Sequence, residues 1–460
     1  MPKVSVIMPS LNVVAYIQEC IESVIHQTLK DIEILCVDAG STDGTLEILE
    51  GYAALDSRIR LIQSLQKSYG YQMNLGLREA QGEYIGIVET DDYILPEMYE
   101  ELYTYAVEHD ADFVKSDFDV FTTLPEGEKI FNRCSLKVGS SAQYDVLFTS
   151  KDYMDSKKTI DTFIWNGIYR STFLQKHQIK FLETPGAAFQ DCGFRYQVAM
   201  NVERGFFLDR SFYRYRRDNA SASTYNSKCV LFNLTECENI LRIAQERGWM
   251  ADRKRARFLA RETAIVAHRP YVELLTWGTP APETAGALTA FHHILHKFME
   301  QNILNQESAP EEDWLALRMM VDNLEFYEYY VRLKAEMVVS TVKRFLMRLA
   351  DAEVVLFGCG QVGAAAYSMI RNSGLQNAAT FCDNDPAKWE TNYMGRPVLS
   401  PEAAVRQFPA AHFVIANRVH QDAIKKQLLM LGISEERILV YNLSIDPMFC
   451  TNMSLRMLIQ

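Results

Sequence analysis

The chain has 460 residues, about three times a typical domain length of roughly 150, which indicates two to four domains. Its 59 Asp and Glu residues outnumber its 47 Lys and Arg residues, for a net charge of −12. This balance argues against nucleic-acid binding, which calls for a basic surface. With 48% hydrophobic and 23% charged residues, the composition is that of a globular protein and excludes a largely disordered chain.

Short apolar runs alternate with helical patterns over the first 120 residues. This alternation predicts a parallel sheet with helices on both faces. Ligands of such sheets bind beyond the carboxyl ends of the strands, so the residues that follow each strand are the first candidates for a site. The predicted strands are Val4–Met8, Ile32–Val37, Ile59–Ile62, Tyr84–Val88 and Phe113–Val114, and the predicted helices are Ile17–Gln27, Leu46–Leu55, Gln72–Ala80 and Glu97–Val107.

Polar turns follow the first two predicted strands, at Pro9–Asn12 and Asp38–Thr45. In the second turn, the carboxylate of Asp38 can accept hydrogen bonds from the N–H edge of a nucleobase or from ribose hydroxyls. The structural alternative is that Asp43 caps the next helix and Gly44 relaxes the turn. That alternative accounts for Asp43 and leaves Asp38 unexplained.

Three acids stand together where the fourth strand ends, at Glu89, Asp91 and Asp92. They repel one another unless a cation joins them, and Mg²⁺ binds one or two carboxylates while water and phosphate oxygens complete its shell. A solvated acidic turn is the alternative. The neighbouring turn at Asp38 favours the metal site.

A later acid, Asp191, lies between Phe189 and Phe194 in the sequence. Partial desolvation by these rings would raise the pKa of its carboxyl group towards that of a useful general base. The alternative is a helix N-cap at Asp191.

The basic segment Tyr213–Asn219 contains Arg214, Arg216 and Arg217. Arginine is suited to binding a diphosphate because its planar guanidinium donates parallel hydrogen bonds to one anion. The alternative is an edge strand with solvated basic side chains.

Residues 227 to about 348 have a helical pattern. Towards its end, apolar residues recur at a spacing of three and four, which predicts one helix of a bundle or, alternatively, a dimeric coiled coil. The residues with this spacing are Trp314, Leu317, Val321, Leu324, Val331, Ala335, Val338, Val342, Phe345 and Leu349.

Strand–helix alternation returns over residues 352 to 441. Gly358, Gly360 and Gly363 follow a strand and open a helix, and Asp383 lies 383 − 363 = 20 residues further on. In a dinucleotide-binding loop the glycines let backbone approach a phosphate and the acid meets a ribose. The segment resembles the small Rossmann-like domains of bacterial sugar acyltransferases and methyltransferases, and we expect nucleotide or nucleotide-sugar binding, or an assembly role, rather than redox catalysis.

Four motifs follow one another in the N-terminal part of the chain: Pro9-Ser10-x-Asn12, Val37-Asp38-x-Gly40-Ser41-x-Asp43-Gly44-Thr45, Ala80-x-Gly82-Glu83-Tyr84-Ile85 and Asp91-Asp92. Their order and spacing resemble the family 2 glycosyltransferases of GT-A fold, over roughly residues 1 to 220. The stretches around Gly70–Asn74, Trp165–Tyr169 and Phe189–Asp191 are similar to the bacterial capsule and lipopolysaccharide branch of that family.

The resemblance implies roles for individual residues. Asp38 would read the nucleotide base, Asp91 would be the metal ligand of the D-x-D element, and Asp191 would deprotonate the acceptor hydroxyl. Glu89 would be a second metal ligand. The residues expected to bind the donor are Pro9, Ser10, Asn12, Asp38, Gly40, Asn74, Asp92, Arg214, Arg216 and Arg217.

The chain departs from the family pattern in two places. The first acid of the D-x-D element is Glu89, one methylene longer than aspartate. An Ala-Arg-Asn segment that is common in the family is replaced by Gln72-Met73-Asn74, which removes an arginine. The diphosphate is then expected to depend more on the metal and on the arginines of the basic segment.

The resemblance and the residues together predict an inverting, metal-dependent glycosyltransferase that uses Mg²⁺ or Mn²⁺. It would move a sugar from a nucleotide-diphosphate donor to a hydroxyl of a growing bacterial surface glycan, free or lipid-linked. One base without a separate nucleophile favours a single displacement. The alternatives are an NAD(P)- or nucleotide-sugar-binding enzyme that acts through the C-terminal glycine loop, and a scaffold with weakened catalysis, which Glu89 suggests.

The expected fold class is α/β, with a GT-A domain at residues 1–226, a helical segment at 227–349, a small Rossmann-like domain at 350–445 and a tail at 446–460. A homodimer through the helical segment is an alternative to a bundle. Without a signal-peptide pattern or a run of about 20 apolar residues, we expect a cytoplasmic location. The basic and apolar run Val342–Leu349 indicates either contact with the inner face of a membrane or a buried helix.

Overall fold

The computed structural model describes residues 1–124, 127–136, 144–155, 163–187, 189–219, 222, 226–309, 311 and 313–442. The predicted tail at 446–460 lies outside these residues. The chain forms two compact units, of which the first comprises Met1–Phe118, Cys134–Tyr215 and Ser221–Leu333. The second comprises Asp119–Arg133, Arg216–Ala220 and the chain from Lys334 onward.

The N-terminal sheet contains the strands β1 (Val4–Ser10), β2 (Ile32–Asp38), β3 (Ile59–Gln63), β4 (Tyr84–Ile87), β5 (Tyr93–Ile94), β6 (Phe113–Thr123), β7 (Lys129–Cys134), β8 (Gly167–Arg170) and β9 (Gly205–Arg216). Their order is β3-β2-β1-β4-β8-β6-β9-β5, with β7 beside β6. The first four strands are parallel, whereas β8 runs antiparallel to both of its neighbours.

Strands β1, β2 and β4 carry the predicted site to one edge of the sheet. Their residues are buried and largely apolar, as expected where helices cover both faces. Strand β1 pairs in parallel register with β2, so that Ser10 lies opposite Asp38, and Ile7 lies opposite Ile87 of β4. The carboxyl ends of the three strands therefore meet, and the polar turns that follow them are neighbours.

The helices associated with this sheet are α1 (Ile17–Ile25), α2 (Thr45–Leu55), α3 (Tyr69–Glu79), α4 (Met98–Glu108), α5 (Ser150–Asp155), α6 (Ser171–Lys176) and α7 (Gln190–Asn201). Helix α3 packs closely on the central strands. A Cβ atom at Gly76 would lie 2.6 Å from Cγ2 of Ile7, so glycine at this position lets the helix approach the sheet.

The predicted helical segment is confirmed. It consists of α8 (Cys229–Glu246), α9 (Arg253–Trp277), α10 (Thr284–Glu300), α11 (Trp314–Asp322) and α12 (Leu324–Leu349), with a short 3₁₀ turn at Trp249–Ala251. Apolar side chains of these helices form one core in the first unit, which includes Ala264, Tyr271, Phe291, Leu317 and Val331.

The heptad pattern does not correspond to one continuous helix. Helix α11 ends at Asp322, and the Oδ1 of Asn323 accepts a hydrogen bond of 2.9 Å from the Phe326 N–H, which caps the start of α12. An asparagine favours such a cap over a helix interior because its side chain competes for backbone donors. The heptad residues Val331, Ala335, Val342, Phe345 and Leu349 are buried within the chain.

The run Val342–Leu349 has its apolar side inside the protein. Val342, Phe345, Leu346 and Leu349 are buried, and the ring of Phe345 packs edge-on against Tyr441 at 5.8 Å. The buried-helix interpretation therefore accounts for these four apolar residues, whereas Met347 of the same run is exposed. Among the described residues, no helix is long and apolar enough to cross a membrane.

The second unit contains the small C-terminal α/β domain that the sequence predicts. Its sheet has the order β12-β13-β11-β10-β14-β15 and is parallel except between β12 and β13. The elements are β10 (Val354–Phe357), α13 (Gln361–Asn372), β11 (Ala378–Cys382), β12 (Asn392–Tyr393), β13 (Arg396–Leu399), α14 (Pro401–Gln407), β14 (His412–Ile415), α15 (Gln421–Met430) and β15 (Ile438–Val440), with 3₁₀ turns at Pro386–Lys388 and Glu435–Arg437.

Candidate functional site

The carboxylate of Asp38 joins two strand ends and a loop. One oxygen accepts hydrogen bonds of 2.8 Å from the N–H groups of Gly40 and Ser41. The other accepts from the hydroxyls of Ser10, at 2.8 Å, and Ser41, at 2.6 Å. Asp38 is 2% exposed, and all four of its lone-pair positions are used inside the protein. Contact between Asp38 and a nucleobase, which stays a prediction, therefore requires one of these bonds to exchange.

The loop after β1 is fastened to the loop after β2 by Asn12. Its side-chain oxygen accepts a hydrogen bond of 2.8 Å from the Thr42 N–H, and its own N–H donates to Ser41 Oγ at 2.9 Å. Asn12 has φ 55° and Gly40 has φ 81°, a region that asparagine and glycine tolerate better than other residues. Both predicted donor-binding residues thus shape the backbone that borders the site.

Two further side chains connect the strand ends. The buried amide of Gln72, on α3, donates to the carbonyls of Ser10 at 2.9 Å and Val37 at 2.7 Å. The hydroxyl of Thr90 donates to the Pro9 carbonyl at 2.8 Å. These bonds satisfy carbonyl groups where the ladder of the sheet ends, and buried carbonyls without a partner are costly.

Two tyrosines hold the acidic turn that follows β4. Tyr69, at the start of α3, donates a hydrogen bond of 2.6 Å to Oε1 of Glu89. Tyr213, on β9, donates to Asp92 at 2.8 Å and accepts a hydrogen bond from the Glu89 N–H at 3.0 Å. Asp92 is buried, whereas Glu89 and Asp91 are half-buried. The extra methylene of Glu89 thus carries its carboxylate to the hydroxyl of Tyr69.

The acids of the site repel one another. Burial raises the pKa of Glu89 to about 8, and the charges of Asp91 and Asp191 add to this shift although the hydrogen bond from Tyr69 opposes it. The three carboxyl groups are therefore close enough to interact electrostatically. A divalent cation beside Asp91 would relieve this repulsion.

The donor set fits a cation that is bound together with a diphosphate. Among the described residues, no group of three or more His, Cys, Asp or Glu side chains has the geometry of a complete metal site. Mg²⁺ usually takes one or two protein carboxylates and fills the remaining positions with water and phosphate oxygens. Asp91 and Glu89 suffice for that arrangement.

Asp191 lies in the first turn of α7, after Phe189, whose φ is 63°. Burial raises the pKa of Asp191 above its ordinary value, while the charge of Arg195 and backbone hydrogen bonds oppose the shift. Phe194 is buried and stacks on Phe181 with ring centroids 4.5 Å apart. The partly desolvated acid that the sequence predicts is therefore present, in a helix turn rather than at the N-cap.

Asn74 and Met73 of α3 face the protein. The side chain of Asn74 forms hydrogen bonds of 2.9 Å with both the N–H and the carbonyl of Phe181, and a third with Glu183. Met73, which replaces the family arginine, is fully buried. Asn74 thus anchors the segment that leads to Asp191, and its predicted contact with the donor has no counterpart among these bonds.

Of the three predicted arginines, Arg214 lies in the first unit, and Arg216 and Arg217 lie in the second. Arg214 lies on β9 opposite Tyr93, and its guanidinium donates to Ser211. In the second unit, Arg216 forms an ion pair with Asp218 at 3.4 Å and covers the ring of Phe121. The Arg217 N–H donates to the Phe121 carbonyl. Binding of a diphosphate by these arginines stays a prediction.

Sequence reasoning missed a buried lysine near the acids. Lys115 of β6 is 1% exposed, and its Nζ donates to the Phe163 carbonyl at 2.6 Å. Its positive charge lowers the pKa of Asp191. A Cβ atom at Gly167, the pairing partner of Lys115 on β8, would lie 2.5 Å from the lysine Cγ. The available signal was a lysine directly after the apolar residues Phe113 and Val114 of the predicted strand.

The C-terminal glycine loop is held by Asp383. Its carboxylate accepts hydrogen bonds from the Cys359 N–H at 2.8 Å, the Asp385 N–H at 3.0 Å and Lys388 Nζ at 3.0 Å. Gly363 permits a close approach, since a Cβ atom there would lie 2.0 Å from the Gly358 carbonyl oxygen. A Cβ atom added at Gly360, at the start of α13, would meet no heavy atom within 4 Å. The predicted loop geometry is therefore present, while the acid is bound by the loop itself.

A cleft of about 490 Å³ lies in the first unit beside α3 and α6. Of the residues predicted for the donor site, only Asn74 lines this cleft. The other lining residues are Leu77, Arg78, Ala80, Ile85, Ser171, Leu174, Gln175, Gln178, Ile179, Lys180 and Glu183.

Residues 5–157 match the family model described as Glycosyl transferase family 2, and residues 350–439 match a model described as C2185-like, N-terminal. The chain is 31% identical over 225 residues to the uncharacterized glycosyltransferase EpsJ of Bacillus subtilis, which covers 47% of the chain and 62% of EpsJ. It is 30% identical over 224 residues to the uncharacterized glycosyltransferase YibD of Escherichia coli, covering 48% and 63% respectively. The chain thus spans less than two thirds of the length of these relatives.

The crystal structure of residues 1–349 of S. aureus TarS in complex with UDP-GlcNAc is similar to this chain. The TM-score is 0.53 at 19% identity, and the likeness covers 74% of this chain and 92% of that one. Together with the family match, this likeness confirms the predicted fold class, a GT-A domain followed by a helical segment and a smaller α/β domain. The glycosyltransferase resemblance of the N-terminal part is likewise confirmed.

The Gln72 amide should stabilise the edge of the sheet at which β1 and β2 end. We expect Gln72→Leu to lower the free energy of unfolding by about 2 kcal/mol, because it removes two buried hydrogen bonds, although the Ser10 carbonyl keeps its bond from the Ala39 N–H. Urea denaturation measures the change. Gln81→Leu, an exposed control two residues beyond the end of α3, should stay within roughly 0.5 kcal/mol of the wild type. Equal effects of the two substitutions would contradict the role of Gln72.

The Tyr69–Glu89 hydrogen bond gives a second prediction. Tyr69→Phe and Glu89→Asp each remove it, so their effects on the free energy of unfolding should be less than additive in the double variant. Each single change should cost about 1 kcal/mol, as for a typical buried hydrogen bond. Tyr71→Phe on the same helix serves as the matched control. Strict additivity would mean that the two side chains do not interact in solution.

Proposed function

We propose that the chain transfers a sugar from a nucleoside-diphosphate donor to a hydroxyl group of a bacterial surface glycan, with inversion at the anomeric carbon. The observation that carries this proposal is the electrostatic proximity of Glu89, Asp91 and Asp191 at the edge where Asp38 holds the strand ends. The site combines a place for a cation with a separate carboxylate that can accept a proton.

The donor would lie along the loops after β1 and β2. The main chain of Pro9 and Ser10 and the fixed turn at Gly40 border the nucleoside position in this proposal, and Asp38 sets their geometry. Exchange of the Ser41 hydroxyl for a base N–H would let Asp38 reach the nucleotide without loss of its remaining hydrogen bonds. The base and the sugar are open in this proposal.

A divalent cation, Mg²⁺ or Mn²⁺, would be held by Asp91 with Glu89 beside it. When bound, it neutralises the negative charge that develops on the departing nucleoside diphosphate. The protein's own part is to fix Asp91 within the turn, which Tyr213 and Tyr69 brace through Asp92 and Glu89.

Asp191 would take the proton from the attacking hydroxyl. Burial raises the pKa of its carboxyl group, which strengthens it as a base, while the charges of Arg195 and Lys115 oppose this shift. Because no second nucleophile is proposed, attack by the acceptor on the anomeric carbon and departure of the diphosphate occur in one displacement, which inverts the configuration.

The surface-glycan assignment is supported by similarity to bacterial glycosyltransferases. Besides EpsJ and YibD, GlyA of Streptococcus pneumoniae is 29% identical over 233 residues, which are 31% of its length. A role at the cytoplasmic side of a membrane and a homodimer through the helical segment remain proposals. In the C-terminal domain, Lys388 beside Asp383 would meet a phosphate, and an NAD-dependent reaction through this loop is the competing proposal.

Removal of the cation ligand tests the first part of the proposal. Asp91→Asn should weaken binding of UDP in the presence of Mn²⁺ by at least about tenfold, since one carboxylate of the cation site is lost. Isothermal titration calorimetry measures the affinity with and without EDTA. Glu97→Gln, an exposed acid that precedes α4, is the control. If neither UDP nor GDP binds and NAD does, the competing proposal is correct.

Removal of the proposed base tests the second part. Asp191→Asn should reduce the rate at which nucleoside diphosphate is released by about 10²- to 10⁴-fold, the range expected for loss of a general base. The substrate is the nucleoside-diphosphate sugar that the wild type turns over fastest. Donor affinity should be unchanged, because Asp191 acts on the acceptor. Glu203→Gln, an exposed acid after α7, is the control. Wild-type turnover in Asp191→Asn would remove Asp191 from the mechanism.

A further inference from the structure

Glu236 of α8 is a buried acid that the proposed reaction does not use. It is 2% exposed, and its carboxylate oxygens form no hydrogen bond of good geometry within the described residues, although the Gly193 N–H is close enough to lower its pKa. Its carboxylate lies against the first turn of α7, where a Cβ atom at Gly193 would be 2.5 Å from Oε2. Gly193 is two residues beyond Asp191, so Glu236 contacts the turn that carries the proposed base.

A second buried acid in the same region is paired, which makes Glu236 distinctive. Glu262 of α9 forms an ion pair of 2.9 Å with Arg195 of α7, and both side chains are at most 5% exposed. An ionised carboxylate buried without such a partner is costly, so the neutral form of the group is favoured. The surroundings of Glu236 accordingly favour its neutral form.

We propose that Glu236 is a positioning residue for Asp191, holding the first turn of α7 through its contact with Gly193. The proposal rests on the function proposed above, in which Asp191 is the base. Glu236 does not touch substrate, because its carboxylate oxygens are inaccessible to solvent.

The carboxyl groups of Asp191 and Glu236 have different electrostatic surroundings. Asp191 lies in the first turn of α7, where the helix dipole and backbone N–H groups favour a negative charge, and Arg195 and Lys115 favour it further. Burial and the charge of Asp191 raise the pKa of Glu236 to about 8. The surroundings of the two groups thus differ, because cationic side chains act on Asp191 whereas burial favours the neutral form of Glu236.

The groups that face the pair come from several elements. Asp191 interacts with Glu89 after β4 and with the Tyr69 hydroxyl of α3, in addition to the two cationic groups. Glu236 faces Asp191 and the Gly193 main chain on α7. The thiol of Cys192, the residue after Asp191, experiences the charges of Asp191, Glu236 and Glu262.

Kinetics separate a positioning role from a purely structural one. In Glu236→Ala, kcat for release of nucleoside diphosphate should fall about tenfold or more, because a displacement of the base by an ångström is costly. The affinity for UDP with Mn²⁺ should stay within twofold of the wild type. Glu236→Gln, which imitates the neutral carboxyl group, should recover most of the lost kcat.

Glu238→Gln is the matched control, since Glu238 is an exposed acid on the same helix. Unchanged kcat in Glu236→Ala would overturn the proposal. So would a parallel loss of kcat, UDP affinity and thermal stability, which would make Glu236 a structural residue only. A glutamine variant as poor as the alanine variant would also contradict a neutral positioning group.

The contact with Gly193 allows an independent test. Gly193→Ala should reduce kcat in the wild type, because the new methyl group collides with Glu236, and should have a much smaller effect in the Glu236→Ala background. Equal effects in the two backgrounds would mean that Gly193 and Glu236 do not act through each other.

The pH dependence of stability gives a readout that does not need the substrate. Glu236 keeps its proton when folded and releases it when unfolded, so the wild type loses stability as pH rises from about 4.5, the unfolded pKa, to about 8, the folded one. Glu236→Gln lacks this loss, and its melting temperature should rise relative to the wild type across that window. A constant difference would contradict the neutral state.

Failure of the underlying function is distinguishable from failure of this inference. If wild-type protein neither binds nucleoside diphosphates nor releases them from sugar donors, the proposed function is wrong. If the wild type is active and Asp191→Asn is inactive while Glu236→Ala retains full kcat, only the inference about Glu236 is wrong.

Discussion

The four hydrogen bonds to Asp38 are the constraint on which the N-terminal site depends. They bring the end of β1, the end of β2 and the turn at Gly40 to one carboxylate. Gln72 of α3 joins the carbonyls of the same two strands, so that helix and sheet share the edge. A carboxylate that accepts four hydrogen bonds is fixed in position, so the geometry of this edge is set before any ligand arrives.

The other acids of the site repel one another, and the surrounding residues limit the repulsion. Tyrosine hydroxyls bind Glu89 and Asp92, and the cationic groups of Arg195 and Lys115 lie close enough to Asp191 to act on its pKa. In the proposed function, the negative charge that these groups leave unneutralised would attract a divalent cation together with a diphosphate.

The helical segment takes part in the site as well as in the core. Helix α8 places Glu236 beneath the first turn of α7, and α9 places Glu262 against Arg195 of the same helix. Both contacts act on the helix that carries Asp191. Buried polar contacts therefore connect the helical segment to α7, the helix that carries Asp191.

The amino-acid pattern was enough to predict β1 to β4, the polar turns after β1 and β2, and the acids after β2 and β4, because alternating apolar runs and polar turns are local patterns that burial on a parallel sheet requires. It did not predict β5, β7, β8 or β9. It did not reveal that Asn74 binds the main chain at Phe181, that Tyr69 binds Glu89, or that Asn323 divides the last helices. Glu236 and Gly193 are 43 residues apart (236 − 193), and only packing of α8 on α7 brings them together. Tertiary structure decided these partners, since hydrogen bonds and electrostatic shifts between buried groups depend on distance in space, which residue spacing does not encode.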